Sequence, residues 1–171
     1  MPDPDPIVAR LIDAGATVAT AESLTAGRLA ARLTDGAGAS VAFLGGVVSY
    51  ATEVKISVLG VPEALIDDHG VISAECAQSM AERARTLMSA TYGVSTTGVA
   101  GPDTQEGQPV GTVFVGVAGP DDTDVRRLAL DGDRAEIQQQ TVAEALSMLG
   151  SMMDAVARSS AGRGPEHPGL G

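Results

Sequence analysis

Tryptophan is absent, and tyrosine and phenylalanine supply two residues each. The interior of this 171-residue chain must therefore be assembled from Ala, Val, Leu, Ile and Met. Cysteine is nearly absent as well: Cys76 stands alone, which excludes an intrachain disulfide and a cysteine-rich metal site. The two histidines, His69 and His167, lie far apart, so a zinc site or a Ser-His-Asp triad has little material beyond His69. No metal or other cofactor is expected. Basic charge is scarce too, and the net charge is −11. Such a surface repels phosphate backbones, and the pair Arg126-Arg127 is too small to reverse that, so nucleic-acid binding is set aside. There is no signal-like segment and no long apolar run, so no membrane association is expected and the chain reads as cytoplasmic.

Lysine is the sharpest scarcity. Ten arginines are accompanied by one lysine, Lys55. A compositional preference for arginine explains few lysines but not the retention of this one.

What is present reads as alternating helices and strands. IVARLIDAGA suits a first helix, TVATAES a strand over 17–22, and TAGRLAARLTDG a helix with Leu24, Leu29 and Leu33 inward. GAGAS reads as a loop carrying Ser40, followed by a buried strand near Gly46–Tyr50. ATEVKISVLG suits a short helix with Thr52 as N-cap, stopped by Gly60-Val61-Pro62. A second short helix follows in PEALIDDHG. SAECAQSMAERARTLMSATYG is the clearest helix, with Ser73 at its start and Gly93 at its end. VSTTGVAGP is a strand entering a glycine-rich turn, and VGTVFVGVAGP pairs with TDVRRLALDG as a hairpin. A long helix begins at DRAE. The pattern implies one α/β domain over 1–160, layered α/β/α, with a mixed, mostly parallel sheet. Residues 161–171, rich in Gly and Pro, read as a disordered tail. The Met148, Met152 and Met153 stripe of the last helix allows a homodimer face, although such stripes more often belong to a core.

Three clusters could carry chemistry. In TAESLTAGR, Glu22, Ser23, Thr25 and Gly27 fall where a strand meets a helix N-terminus, a setting that favours anions or simple capping. In STTGVAGPD, Gly98 and Gly101 let backbone approach a ligand, or form an ordinary turn. Arg134, in GDR, starts the last helix and could reach an anion or pair with Asp131 or Asp133. The third cluster joins Ser40, Tyr50 and Lys55. A serine hydroxyl needs a base, and a neutral lysine can serve where histidine is missing. The ordinary alternative is a solvated Lys55 paired with Glu53 or Asp67.

Six blocks in order, AESLTAG, SYATEVK, HGVIS, TTGVAGPD, PVGTVFVGV and GDR, make the chain resemble the CinA C-terminal domain family, the nicotinamide-nucleotide amidohydrolases, over about residues 5 to 158. The resemblance implies hydrolysis of the carboxamide of nicotinamide mononucleotide, a small pyridine nucleotide, to nicotinate mononucleotide and ammonia by a metal-free Ser/Lys mechanism. Carried over by motif, it implies Ser40 as nucleophile, Lys55 as base, Tyr50 as orienting hydroxyl, and Thr97 and Arg134 at the substrate. The phosphate would meet Arg134 or the Thr25–Gly27 helix start, and the GAGAS loop would supply oxyanion donors. Some relatives carry this domain behind a larger N-terminal one, and this chain is expected to act alone. The family commonly shows Cys and Gly-Gly where Leu24 and Ala26-Gly27 stand here. Those departures support an alternative, a non-catalytic nucleotide-binding or regulatory module.

Overall fold

The computed structural model describes residues 5–163. Helix α1 (Pro6–Asp13) starts where the Asp5 carboxylate accepts the Ile7 amide, and its proline occupies a first-turn position that lacks an intrahelical partner anyway. Strand β1 (Val18–Glu22) follows, then the short helices α2 (Arg28–Leu33) and α3 (Ala39–Ala42), then β2 (Phe43–Val48). Helix α4 (Thr52–Val54) runs directly into a π-helical turn, Lys55–Leu59. After it come α5 (Glu63–His69), α6 (Ala74–Met88), β3 (Tyr92–Gly98), β4 (Thr112–Ala118), β5 (Thr123–Ala129) and α7 (Arg134–Gly162). Ser73 Oγ accepts the Cys76 amide to start α6, and Asp133 and Glu136 form a reciprocal capping box at the head of α7.

The five strands lie in the order β2-β1-β3-β4-β5. β1 runs parallel to β2 and β3, whereas β3–β4 and β4–β5 are antiparallel, so the sheet is mixed with its parallel part at one side. Helices cover both faces. Leu11, Leu29, Val94, Ile137 and Leu149 belong to the core on one face, and Leu59, Val61, Met80 and Phe114 to the core on the other. With so few aromatics, aliphatic burial at roughly 1.5–3 kcal/mol per side chain carries the interior. The domain is thus a three-layer α/β/α sandwich, as the pattern of elements implied.

Strand direction is what builds the site. β1, β2 and β3 are parallel, so their carboxyl ends share one edge of the sheet. β5, two antiparallel steps from β3, ends on the same edge and delivers the start of α7 there. Loops beyond carboxyl strand ends are the usual ligand sites of open α/β sheets.

Several local expectations change. β2 is an edge strand with alternating exposure rather than a buried one, and it ends at Val48, ahead of Tyr50. Ser40 lies on α3 rather than in a loop. Ala51, not Thr52, occupies the cap position of α4, and no side chain caps it. Helix α6 ends at Met88 with Ser89 in the left-handed conformation, while Gly93 lies inside β3. A side chain on Gly93 would collide with the backbone of α6, at Ala81 and Arg85, which explains that glycine by layer packing rather than helix termination. α7 continues through Gly162, two residues past the expected domain boundary, and residues 164–171 of the expected tail lie outside the described residues.

Candidate active site

Lys55 is buried, with 1 % relative exposure, so the solvated reading of this lysine does not hold. Its backbone sits where α4 changes into the π-helical turn, a local widening frequent at functional sites. The stem runs inward, and Nζ lies 2.6 Å from the Ser49 carbonyl, 3.3 Å from the Tyr50 carbonyl and 3.1 Å from Ser23 Oγ. No carboxylate is its ion-pair partner among the described residues. Burial therefore pushes the amine below its ordinary range, opposed by charge at Cys76 and Glu106. Cys76 is itself buried, and its thiol is pushed up to about 11. At neutral pH that thiol is uncharged, so Glu106 is the main group opposing desolvation there. A neutral Lys55 can donate to the two carbonyls and accept the Ser23 hydroxyl proton, which is the hydrogen-bond pattern a general base needs.

Ser23 is presented by a tight turn. Its amide donates to the Thr96 carbonyl, extending β1 by one residue, and its carbonyl accepts the Ala26 amide. Glu22, 1 % exposed, turns its carboxylate away from solvent and accepts Thr25 Oγ1–H and the amides of Leu29 and Ala30. A carboxylate at the opening turn of α2 is favoured by those free N–H groups. Since Thr25 donates its hydroxyl proton to Glu22, the Thr96 hydroxyl donates to Thr25. Glu22, Thr25 and Gly27, expected at the substrate, therefore shape the turn from behind and do not line the cavity. Gly27 and Ala26 both have positive φ, +94° and +48°. The family's Gly-Gly thus corresponds to two left-handed positions, and here one of them is held by alanine.

A cavity of about 260 Å³ opens above this pair, lined among others by Ser23, Tyr50, Lys55, Thr97, Gly98 and Arg134. That volume lies slightly under the ~300–1,000 Å³ usual for small-molecule sites and suits a compact ligand. Thr97 donates its hydroxyl proton to the Val71 carbonyl, 2.6 Å away. Arg134 reaches the Gly101 carbonyl and lies 3.4 Å from the Tyr50 hydroxyl. Tyr50 thus touches Lys55 through its backbone carbonyl, while its exposed ring turns toward Arg134 rather than toward the amine. Ser40 is exposed on α3, is not among the cavity-lining residues and makes no hydrogen bond to Lys55. The GAGAS segment likewise lies outside the cavity wall. The structure brings Ser23, not Ser40, to the lysine. One sequence signal could have found it: Ser23 directly follows the strand read over 17–22, at that strand's carboxyl end.

Fold and site together define a three-layer α/β domain in which a buried lysine meets a half-buried serine at the carboxyl edge of the parallel strands. The chain belongs to the CinA C-terminal domain family, whose model matches residues 4–153. It is 51 % identical over 147 residues to a CinA-like protein of Frankia casuarinae, covering 86 % of this chain and 34 % of that protein. A CinA-like protein of Anaeromyxobacter dehalogenans is 47 % identical over 148 residues, covering 85 % and 36 % respectively. The chain thus spans about a third of the length of these curated relatives. Among solved structures, a CinA superfamily protein of Klebsiella pneumoniae superposes with a TM-score of 0.85 at 32 % identity, covering 87 % of this chain and 94 % of the other. A second structure from that organism, described as competence damage-inducible protein A, superposes with a TM-score of 0.82 at 30 % identity, covering 91 % and 98 %.

Proposed function

We propose that this domain is an amidohydrolase in which Ser23 is the nucleophile and Lys55 its base, acting on the carboxamide of nicotinamide mononucleotide. The observation that carries the reading is the 3.1 Å contact between a buried, charge-averse amine and a serine hydroxyl at the floor of a small polar cavity. Ser23 Oγ would add to the carboxamide carbon as its proton passes to Lys55 Nζ, giving a tetrahedral oxyanion and an ammonium. Collapse of that species expels ammonia, with Lys55 returning the proton to the leaving nitrogen. Water then adds to the acyl-serine with Lys55 again as base, releasing the carboxylate product and free Ser23. Oxyanion donors would come from backbone that borders the cavity, at Leu24 and in the Gly98–Gly101 turn, rather than from the GAGAS segment, the Ser23 amide being held by the Thr96 carbonyl. Arg134 at the rim is the cation available to the substrate phosphate, and the substrate's pyridinium ring would further disfavour a charged Lys55.

The experiment is ammonia release from nicotinamide mononucleotide, its riboside and nicotinamide, for wild type and Ser23→Ala. Release from the mononucleotide by wild type alone supports the reading. Binding of the mononucleotide without release would favour the non-catalytic module instead.

A further inference from the structure

The HGVIS block, His69 to Ser73, contributes no group to the proposed chemistry, yet Val71 and Ile72 line the cavity. Asp103, Thr104 and Gln105 also line it, from the loop that joins β3 to β4. That loop closes as a small hairpin. The Gln108 amide donates to the Gln105 carbonyl at 2.8 Å, and Glu106 and Gly107 between them have φ of +50° and +70°. Two successive positive φ values make the kind of turn that favours Asn, Asp or Gly. Glutamate is a poor choice at the first of these positions, so a reason for it must lie outside the turn.

The reason is visible in its side chain. Glu106 Oε1 accepts the Val71 amide and Oε2 the Ile72 amide, each at 3.2 Å. Gly70 adjoins this contact, and a Cβ there would stand 2.6 Å from Oε2. Gly70 also has φ of +77°, so a side chain there would be strained and would displace the Glu106 carboxylate. On the other side of the same strip, the Val71 carbonyl is held by the Thr97 hydroxyl. The strip is thus gripped at its N–H groups by the hairpin and at its carbonyl by β3.

We propose that Glu106 is a positioning residue: its carboxylate latches the 103–109 hairpin to the Gly70–Ile72 strip and thereby fixes two walls of the cavity over Ser23 and Lys55. The consequence for catalysis rests on the amidohydrolase reading; the latch itself does not. Glutamate is required because its side chain spans from the turn to two adjacent amides, and as a carboxylate it accepts from both. Glutamine offers one oxygen and a competing donor. Asparagine suits the turn better but is one methylene shorter.

The test uses Glu106→Asn and Glu106→Gln in the full chain. Amide exchange at Val71 and Ile72, followed by NMR, should accelerate ~10-fold or more in Glu106→Asn, the range expected for losing a charge-assisted hydrogen bond. Because asparagine favours the turn, that acceleration cannot be blamed on a broken hairpin. On the mononucleotide, kcat/KM should fall ~10-fold or more through misplaced walls. A second kinetic readout separates charge from shape. The titratable groups that act on Lys55 are Cys76 from α6 and Glu106 from the hairpin, while Tyr50, Asp103 and Arg134 line the same cavity. Of these, Glu106 is the carboxylate that favours the charged amine. Glu106→Gln should therefore move the acid limb of the kcat/KM profile to lower pH. Unchanged exchange in both variants overturns the latch, whether or not the wild type hydrolyses any nicotinamide compound. Faster exchange with wild-type kcat/KM and an unmoved limb overturns its role in the site.

Discussion

On the proposed mechanism, the single lysine among ten arginines has a chemical use that arginine cannot supply. A guanidinium does not deprotonate in proteins, whereas a buried amine can exist neutral near physiological pH. Lys55→Arg should thus lose ~10²–10⁴-fold in turnover, the usual range for removing a general base. The guanidinium is also larger than the space that Nζ occupies between Ser49, Tyr50 and Ser23, so melting must be measured beside turnover. Turnover above about a tenth of wild type would remove Lys55 as the base. Arg134 makes a different prediction. It stands at the cavity rim, and a phosphate contact acts on ground and transition states alike. Arg134→Ala should raise KM for the mononucleotide ~10-fold or more, as for a charged hydrogen bond, with little change for the riboside. Equal effects on both substrates would separate Arg134 from the phosphate.

At the scale of elements, the Ser23 turn connects a buried strand to a helix in five residues, and two of them sit at positive φ. Alanine in the left-handed region costs ~1–2 kcal/mol, and glycine's greater freedom when unfolded returns ~0.5–1 of that. Ala26→Gly should stabilise the domain by about 0.5–1 kcal/mol, a rise of roughly 2–4 °C per kcal/mol at this size. A lower melting temperature would show that the alanine methyl contributes packing worth more than the strain. The elements themselves were largely legible. Periodicity marks α6 and α7, Ser73 marks the start of α6, and Gly119–Asp122 marks the β4–β5 hairpin. The site was legible in part. Lys55, Thr97, Gly98 and Arg134 gather as expected because each lies at or just beyond a carboxyl strand end or helix start on one edge. Ser23 was hidden because Ser, Thr and Glu beside a helix start look the same whether they cap or react. Glu22, held by Thr25, does accept the helix-start amides from behind; Ser23 faces the other way. Ser40 was carried over from the family motif, but which serine an amine reaches depends on strand order, and sequence spacing does not give that. The Glu106 contact joins residues 34 and 35 positions apart with no local periodicity to announce it.

At the scale of the whole molecule, burying an amine that would rather be neutral makes stability depend on pH. The folded-state pKa of Lys55 lies below 10.5, so between the two values the unfolded chain binds a proton that the folded chain does not. Stability then rises with pH through that window and is flat from this source outside it. Cys76 acts in the opposite sense. Its folded pKa of about 11 exceeds the ordinary 9.0, so stability from it is lost as pH climbs above 9. The informative quantity is therefore the difference between wild type and Lys55→Met in denaturant unfolding as pH is raised from neutral to 10.5, the ordinary value of the amine. Wild type should gain on the variant as pH rises, and a flat difference would mean that the amine is not held below its ordinary range. On the proposed substrate, the acidic surface, net −11, would suit the cationic ring and would leave Arg134 to meet the phosphate locally.

The account depends on which hydroxyl the buried amine activates, and steady-state ammonia release from nicotinamide mononucleotide by Ser23→Ala and Ser40→Ala decides it. Ser23→Ala should lose at least ~10³-fold in kcat, in keeping with removal of a nucleophile, and both variants should melt within a few degrees of wild type. Ser40→Ala, altered at an exposed position outside the cavity, should retain wild-type turnover. An active Ser23→Ala beside an inactive, folded Ser40→Ala would contradict the assignment.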